Sequence, residues 1–291
     1  VTTPPLYLGC PVWSERRWLG TFFTAAARPH EHLAQYASVF DAVEGNSTFY
    51  GLPRAETVQR WAADAPARFR FCFKFPQRIS HALALRGAEA DTAAFLARLA
   101  PLGACLGPCL LQLPASFGPD GVPALLAYLD ALPAEYTCVV EVRHPAFFAK
   151  GEAEIALNRA LRARGVDRAI LDSRALFSTP PPDAASAEAQ ARKPRLPVHA
   201  VAVGPRPLLR FIGHPELERN RAYLAPWVDK LAAWIGEGRT PYVFTHMPDN
   251  RDAPALARLF HGLLRARLPE LPPLPPAPAA RTPRQRQADL F

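Results

Sequence analysis

Apolar residues along this chain gather into short runs, and each run is followed by a longer stretch in which apolar positions return every three to four residues. The runs span 6–10, 41–45, 69–75, 108–113, 137–142, 168–172, 208–212 and 242–245. They have the length and composition of buried strands, whereas the intervening stretches 30–39, 56–63, 91–99, 122–132, 152–164, 221–235 and 253–267 carry the helical period. Strand followed by helix, repeated, argues for a parallel sheet. Eight such units in about 265 residues fit a closed (β/α)8 TIM barrel better than an open doubly wound sheet. The sixth connection, 177–207, is rich in Pro and Ala with only a short helical stretch at 184–191, and is expected to be an excursion on the barrel's rim.

Past 268 the periodicity stops. Residues 269–286 are Pro-rich and then dotted with arginines, a composition expected to stay extended or disordered as a flexible linker. The chain therefore divides into a barrel, 1–268, the linker, and a terminal peptide, 287–291. That peptide, Gln287-Ala288-Asp289-Leu290-Phe291, ends in two large apolar residues, as short docking motifs do. It resembles the Gln-x-x-Leu-Phe pentapeptide with which bacterial replication and repair proteins dock on the DNA polymerase sliding clamp. The resemblance implies Leu290 and Phe291 as anchors and Gln287 as the hydrogen-bonding latch.

Composition adds bounds. With 291 residues, 49% of them hydrophobic, the chain can bury a large core. Its 34 Lys and Arg exceed 26 Asp and Glu, and the resulting charge of +8 favours polyanionic partners such as nucleic acid. Part of the excess lies in segments expected to be mobile: Arg281, Arg284 and Arg286 in the tail, and Arg192, Lys193 and Arg195 in the excursion. Five cysteines, mostly in or beside apolar runs, read as reduced buried thiols. With no basic-then-apolar leader and no run of membrane-spanning length, a soluble cytoplasmic protein is expected.

The candidate chemistry lies at the strand ends, because side chains at the carboxyl ends of barrel strands converge on one mouth. Alternation along the third strand puts Phe69, Phe71, Phe73 and Phe75 on one face and Arg70, Cys72 and Lys74 on the other. The same reading turns Glu44 and Asn46, Gln112, Glu141 and Arg143, Asp172 and Arg210 inward. Lys74, Arg143 and Arg210 would form an anion clamp suited to phosphate, with Glu44, Glu141 and Asp172 available as general acid, general base or metal ligands. His144, His214 and His246, at loop positions, are candidate ligands for a divalent metal, although their spacing follows no compact ligand motif.

The stretches VEGNSTFYGLP at 43–53 and RFRFCFKFPQRISH at 68–81, then LGPCLLQLPASF at 106–117, VEVRHP at 140–145 and RFIG at 210–213, resemble in order the YecE-like family, bacterial barrels classed as domain of unknown function 72. The resemblance implies a TIM barrel related in shape to endonuclease IV and xylose isomerase. It also adds Thr48, Tyr50 and His81 to a site already holding Glu44, Asn46, Lys74, Gln112, Glu141, Arg143 and Arg210. The eighth strand departs from the pattern, ending Thr245-His246-Met247-Pro248-Asp249-Asn250 instead of running into an Asn-rich segment. The leading expectation is a DNA-associated enzyme, a phosphodiesterase or endonuclease-like hydrolase recruited to replication or repair through the sliding clamp. The alternatives are an enzyme acting on a sugar phosphate or other anionic metabolite, and a non-catalytic clamp-bound adaptor.

Overall fold

The computed structural model describes residues 6–281. Eight parallel strands form a nearly closed barrel: β1 (Tyr7–Cys10), β2 (Ala42–Gly45), β3 (Arg70–Phe73), β4 (Cys109–Gln112), β5 (Cys138–Glu141), β6 (Asp167–Asp172), β7 (Leu208–Ile212) and β8 (Tyr242–His246). Apart from β3 and β4, each pairs with its sequence neighbours, and β1 pairs with β8. The seam between β3 and β4 is closed by isolated bridges, Phe71 with Leu106 and Lys74 with Leu110, and by Phe75 N donating to Leu110 O at 3.0 Å, a distance typical of a ladder.

Eight helices follow the strands: α1 (His32–Ala37), α2 (Ala55–Asp64), α3 (Glu89–Leu99), α4 (Val122–Asp130), α5 (Glu152–Ala163), α6 (Ala184–Arg192), α7 (Arg221–Gly236) and α8 (Ala253–Arg267). The alternating third strand behaves as its pattern requires. Phe69, Phe71, Phe73 and Phe75 lie in the layer between sheet and helices, while Cys72 joins Tyr7, Ala42, Leu110, Val139, Ala169, Leu208, Tyr242 and Phe244 inside the barrel. This inner apolar layer fills the lower barrel, so the polar residues one turn of pleat higher have a solid floor beneath them.

Two features bear on the mouth. The excursion between β6 and β7 does not stand away from the barrel: Ala189 of α6 packs on Leu171, Leu176 and Ile212, at the tops of β6 and β7. The segment after α8 also differs from the free linker that its prolines suggest. Leu271 is buried, its carbonyl accepts from Arg265 Nε at 2.9 Å, Ala279 N donates to Phe22 O at 2.9 Å, and Arg281 Nη2 donates to Ser38 Oγ at 2.7 Å. Carbonyls of this segment join no helix or strand, and arginines of α8 take two of them as acceptors, Arg258 that of Pro275 and Arg265 that of Leu271. Residues 269–281 are thus laid against the barrel, and Gln287, Leu290 and Phe291 lie outside the described residues. Among the described residues no helix is long and apolar enough to cross a membrane.

Candidate functional site

Pleat parity and register bring the side chains of Glu44, Lys74, Gln112, Glu141, Arg143, Arg210 and His246 together at the carboxyl end of the barrel. Gln112 stands opposite Glu141 across β4 and β5, and Leu171 stands opposite Arg210 across β6 and β7. At the centre is Arg210, only 2% exposed. Its Nε and Nη2 donate to Glu44 Oε2 and Oε1 at 2.7 and 2.8 Å, and its Nη1 donates to Glu141 Oε2 at 2.6 Å. Arg143 takes the other oxygen of Glu141, its Nε reaching Oε1 at 2.8 Å, and its Nη2 also donates to Gln112 Oε1 at 2.8 Å. Lys74 Nζ donates to that same Gln112 oxygen at 2.7 Å.

The loop after β2 supplies the near wall. Asn46 Nδ2 donates to Glu44 Oε1 at 2.9 Å and to Pro11 O at 3.2 Å. Thr48 is buried, and its hydroxyl donates to the Lys74 carbonyl at 2.6 Å, which makes it a brace between the two strand ends with no face toward the mouth. Phe49 lies 5.2 Å below the Lys74 ammonium, a cation–π contact, and 5.2 Å edge-on from His81. Tyr50 stands on the rim, 78% exposed, against the edge of Phe49. His81 sits in a π-helical turn, Arg78–Ala82, with Nδ1 2.8 Å from Ser80 Oγ.

The electrostatics follow from this packing. Burial is the largest influence and would raise the Glu44 carboxyl, but the charge and hydrogen bonds of Arg210 and His246 together outweigh it and hold the group well below the usual carboxylate range. Glu141 is likewise pushed up by burial and pulled down further by Arg210, Arg143 and Lys74, to about 2. Burial, and then the charge of Arg210, lowers Lys74 to about 7. His246, whose Nε2 lies 3.3 Å from Glu44 Oε2, is lowered to about 4 by burial against the opposing pull of Glu44. Above that pH it is a neutral partner, and the surrounding cations, Arg210 first among them, supply the charge that keeps Glu44 ionised.

Sequence reasoning missed Lys193. Counted there among solvated charges of the excursion, it caps the end of α6 and is brought within electrostatic reach of Arg210, Glu44, Glu141, Arg143 and His246; burial and then Arg210 lower it to about 8. The signal available was its position four residues after Ala189, on the side of the helix that packs on the barrel.

Asp172 is not brought to the mouth, although alternation was expected to turn it inward. Its register partner is Phe211, which lies in the outer layer, while Leu171 and Ala169 take the inner face. Both carboxylate oxygens are engaged outside the barrel: Trp227 Nε1 of α7 donates to Oδ2 at 2.7 Å, and Arg174 Nη2 and Nε donate to Oδ2 and Oδ1 at 2.7 and 3.0 Å. The candidate metal histidines are dispersed as well. His214 meets Thr179 Oγ1 through Nε2 at 3.0 Å and accepts from Glu216 N through Nδ1, and His144 Nδ1 accepts from Ala146 N at 3.2 Å. Among the described residues no three His, Cys, Asp or Glu side chains are arranged to hold a metal ion.

Three comparisons with known proteins bear on this architecture. The family model described as "Protein of unknown function DUF72" matches residues 7–282. The chain is 47% identical over 266 residues to UPF0759 protein YecE of Escherichia coli K12, covering 91% of this chain and 95% of that protein. Its fold is similar to that of a DUF72 family protein of Thermotoga maritima, with a TM-score of 0.68 at 22% identity over 89% of this chain and 99% of the other. A DUF72 family protein of Enterococcus faecalis gives 0.67 at 19% identity, over 89% and 95%.

Proposed function

Taking as premise that the chain belongs to the DUF72 family of proteins of unknown function, we propose from the site's own chemistry that the barrel mouth binds a small anionic substrate and exchanges a proton with it through Lys74. One observation carries the reading. Two arginines and two lysines face two carboxylates, and both carboxylates are taken up by Arg210 and Arg143, so that neither Lys74 nor Lys193 has an ion-pair partner among the described residues. Lys74 is buried and Lys193 half-buried, and a buried cation without a counter-ion is costly unless a ligand supplies the charge.

On this reading the roles separate. Glu44 and Glu141 orient Arg210 and Arg143, their oxygens being filled by hydrogen bonds from those arginines. Arg143 presents its guanidinium and Gln112 its amide nitrogen, since the Gln112 oxygen already accepts twice. Lys74, at about 7, exchanges a proton near neutrality, which suits general acid–base chemistry beside an anionic group. Lys193 on α6 supports a small ligand over a passing strand, because it brings the excursion over the mouth.

Calorimetric titration of sulfate and inorganic phosphate into the full chain tests this. Saturable binding is expected, weakened about tenfold or more in Lys74→Met. Absence of saturable binding by phosphate, sulfate and short carboxylates up to about 10 mM would sink it.

A second reading, a DNA-associated phosphodiesterase recruited to the sliding clamp, is favoured by the terminal Gln287, Leu290 and Phe291 and by the charge of +8. Its test is binding of a bacterial sliding clamp to the full chain and to one ending at Arg286. Tail-dependent affinity in the micromolar range supports recruitment, and equal or absent binding removes it.

A further inference from the structure

Beyond the mouth, the chain leaves β6 through Ser173 and Arg174, and the returning segment of the excursion runs beside this exit, with Ser173 Oγ donating to Pro194 O at 2.9 Å. Between the two opens a cleft of about 410 Å³, lined by Arg174, Phe177, Arg195 and Tyr223 with two serines and a leucine, and by no acidic side chain. Both serines, 173 and 178, donate their hydroxyl protons to backbone carbonyls. What remains to recognise a ligand is cationic and phenolic.

The two guanidinium groups are held in place by different means. Arg174 is clamped through Nε and Nη2 by Asp172, itself fixed by the Trp227 indole, so its Nη1 stays free on a side chain that is 47% exposed. Arg195 lies over the Phe177 ring at 5.8 Å and makes no ion pair with a carboxylate among the described residues. A planar fork whose orientation is fixed beforehand loses little freedom when it meets an anion. Arg195 follows Lys193 by two residues, so their backbones lie within about 7 Å of each other.

We propose that this cleft is a second anion subsite, and that the substrate carries two anionic groups, one held by Lys74, Arg143 and Lys193 and the other by Arg195 and Arg174. The proposal rests on the anion-binding reading of the mouth and adds the substrate's second charge. It gives Asp172 a use different from catalysis: it aims Arg174.

Calorimetry on the full chain with inorganic phosphate and with a series of alkanediol bisphosphates of increasing length tests it, the best-fitting length reporting the spacing of the two subsites. The best bisphosphate is expected to bind at least about tenfold more tightly than phosphate, as joined binding groups do. Arg195→Gln should abolish that gain while leaving the first group's donors, Lys74, Arg143 and Lys193, in place, so phosphate affinity should stay within about twofold. Arg195→Glu serves as a second variant, read as the ratio of the two affinities; the side chain is exposed, so neither change empties a packed core. The subsite is overturned if no bisphosphate exceeds phosphate, or if the gain survives in both variants. Failure of the wild-type chain to bind either phosphate or bisphosphate would instead overturn the mouth reading, and this one with it.

Discussion

Lys74 and Arg143 meet on a single oxygen: Gln112 Oε1 accepts from the lysine at 2.7 Å and from the arginine at 2.8 Å. A neutral carbonyl between two cations fixes their positions without cancelling their charge. It also turns the amide nitrogen of Gln112 away from them, where it is free to donate to the anion proposed for this site.

Replacing that amide by a carboxylate separates position from charge. Gln112→Glu preserves shape but places a counter-ion between Lys74 and Arg143, so the lysine should titrate higher by about one unit or more, and phosphate affinity should fall about tenfold or more. NMR titration of the lysine side chain together with calorimetry reads both. An unchanged affinity would mean that the anion is not held by this pair.

Binding should also depend on pH, with a sign set by Lys74. Its value of about 7 is depressed by burial and Arg210 and only partly restored by Glu44 and Glu141. An anion beside it favours the protonated form, so sulfate, which does not titrate in this range, should be bound with proton uptake near pH 7.5 and lose affinity as pH rises through about 7 to 8, Lys193 extending the window at its upper end. Stability of the free protein runs the other way. Between about 7 and the ordinary lysine value the unfolded chain holds more protons than the folded one, so the Lys74 contribution rises with pH there and is least favourable below 7. Calorimetry in buffers of different ionisation enthalpy measures the uptake, which Lys74→Met should remove.

Arg210 joins β7 to β2 and β5 through two buried carboxylates, and its loss strands both. Arg210→Met should cost about 3–5 kcal/mol in urea unfolding. The triple variant Glu44→Gln, Glu141→Gln, Arg210→Met removes the stranded charges and should recover most of that loss, while still failing to bind phosphate with wild-type affinity, because Arg143 loses its anchor. If the triple variant were no more stable than the single one, the cost would lie in packing and the charge argument would fail.

The strands were legible because their patterns are local. Third-strand alternation named both the outward phenylalanines and the inward Lys74, and Glu44, Gln112, Glu141 and Arg210 follow from the same parity. Parity failed at β6, whose residues 169–172 read apolar on both faces until Asp172, as a strand covered on both sides does, so nothing local says which face is inner. The deciding facts are distant ones, the register with Phe211 and the indole of Trp227, 55 residues away. Lys193 was hidden for the same reason. Its helix is short and Ala-rich, and only the packing of Ala189 on Leu171 and Ile212 brings the end of that helix to the barrel. The prolines after 268 predict an absence of helix and strand, which holds up to the short 3-10 turn Pro278–Ala280, but they do not predict an absence of contacts.

The placement of Asp172 yields a test that separates framework from anion-binding residues. Were it at the mouth, removing its charge would add to the surplus of cations there and strengthen phosphate binding. Since its oxygens instead serve Trp227 and Arg174 on the outer side of the end of β6, Asp172→Asn should lower stability by about 1–3 kcal/mol through weakened charge-assisted bonds and leave phosphate affinity within about twofold. Indole fluorescence should change on the same substitution, because Trp227 loses an ionised acceptor. Urea unfolding, calorimetry and the emission spectrum together decide the matter: a rise in phosphate affinity without loss of stability would return Asp172 to the mouth, whereas the reverse pattern keeps it as the residue that locks α7 and Arg174 to the end of β6.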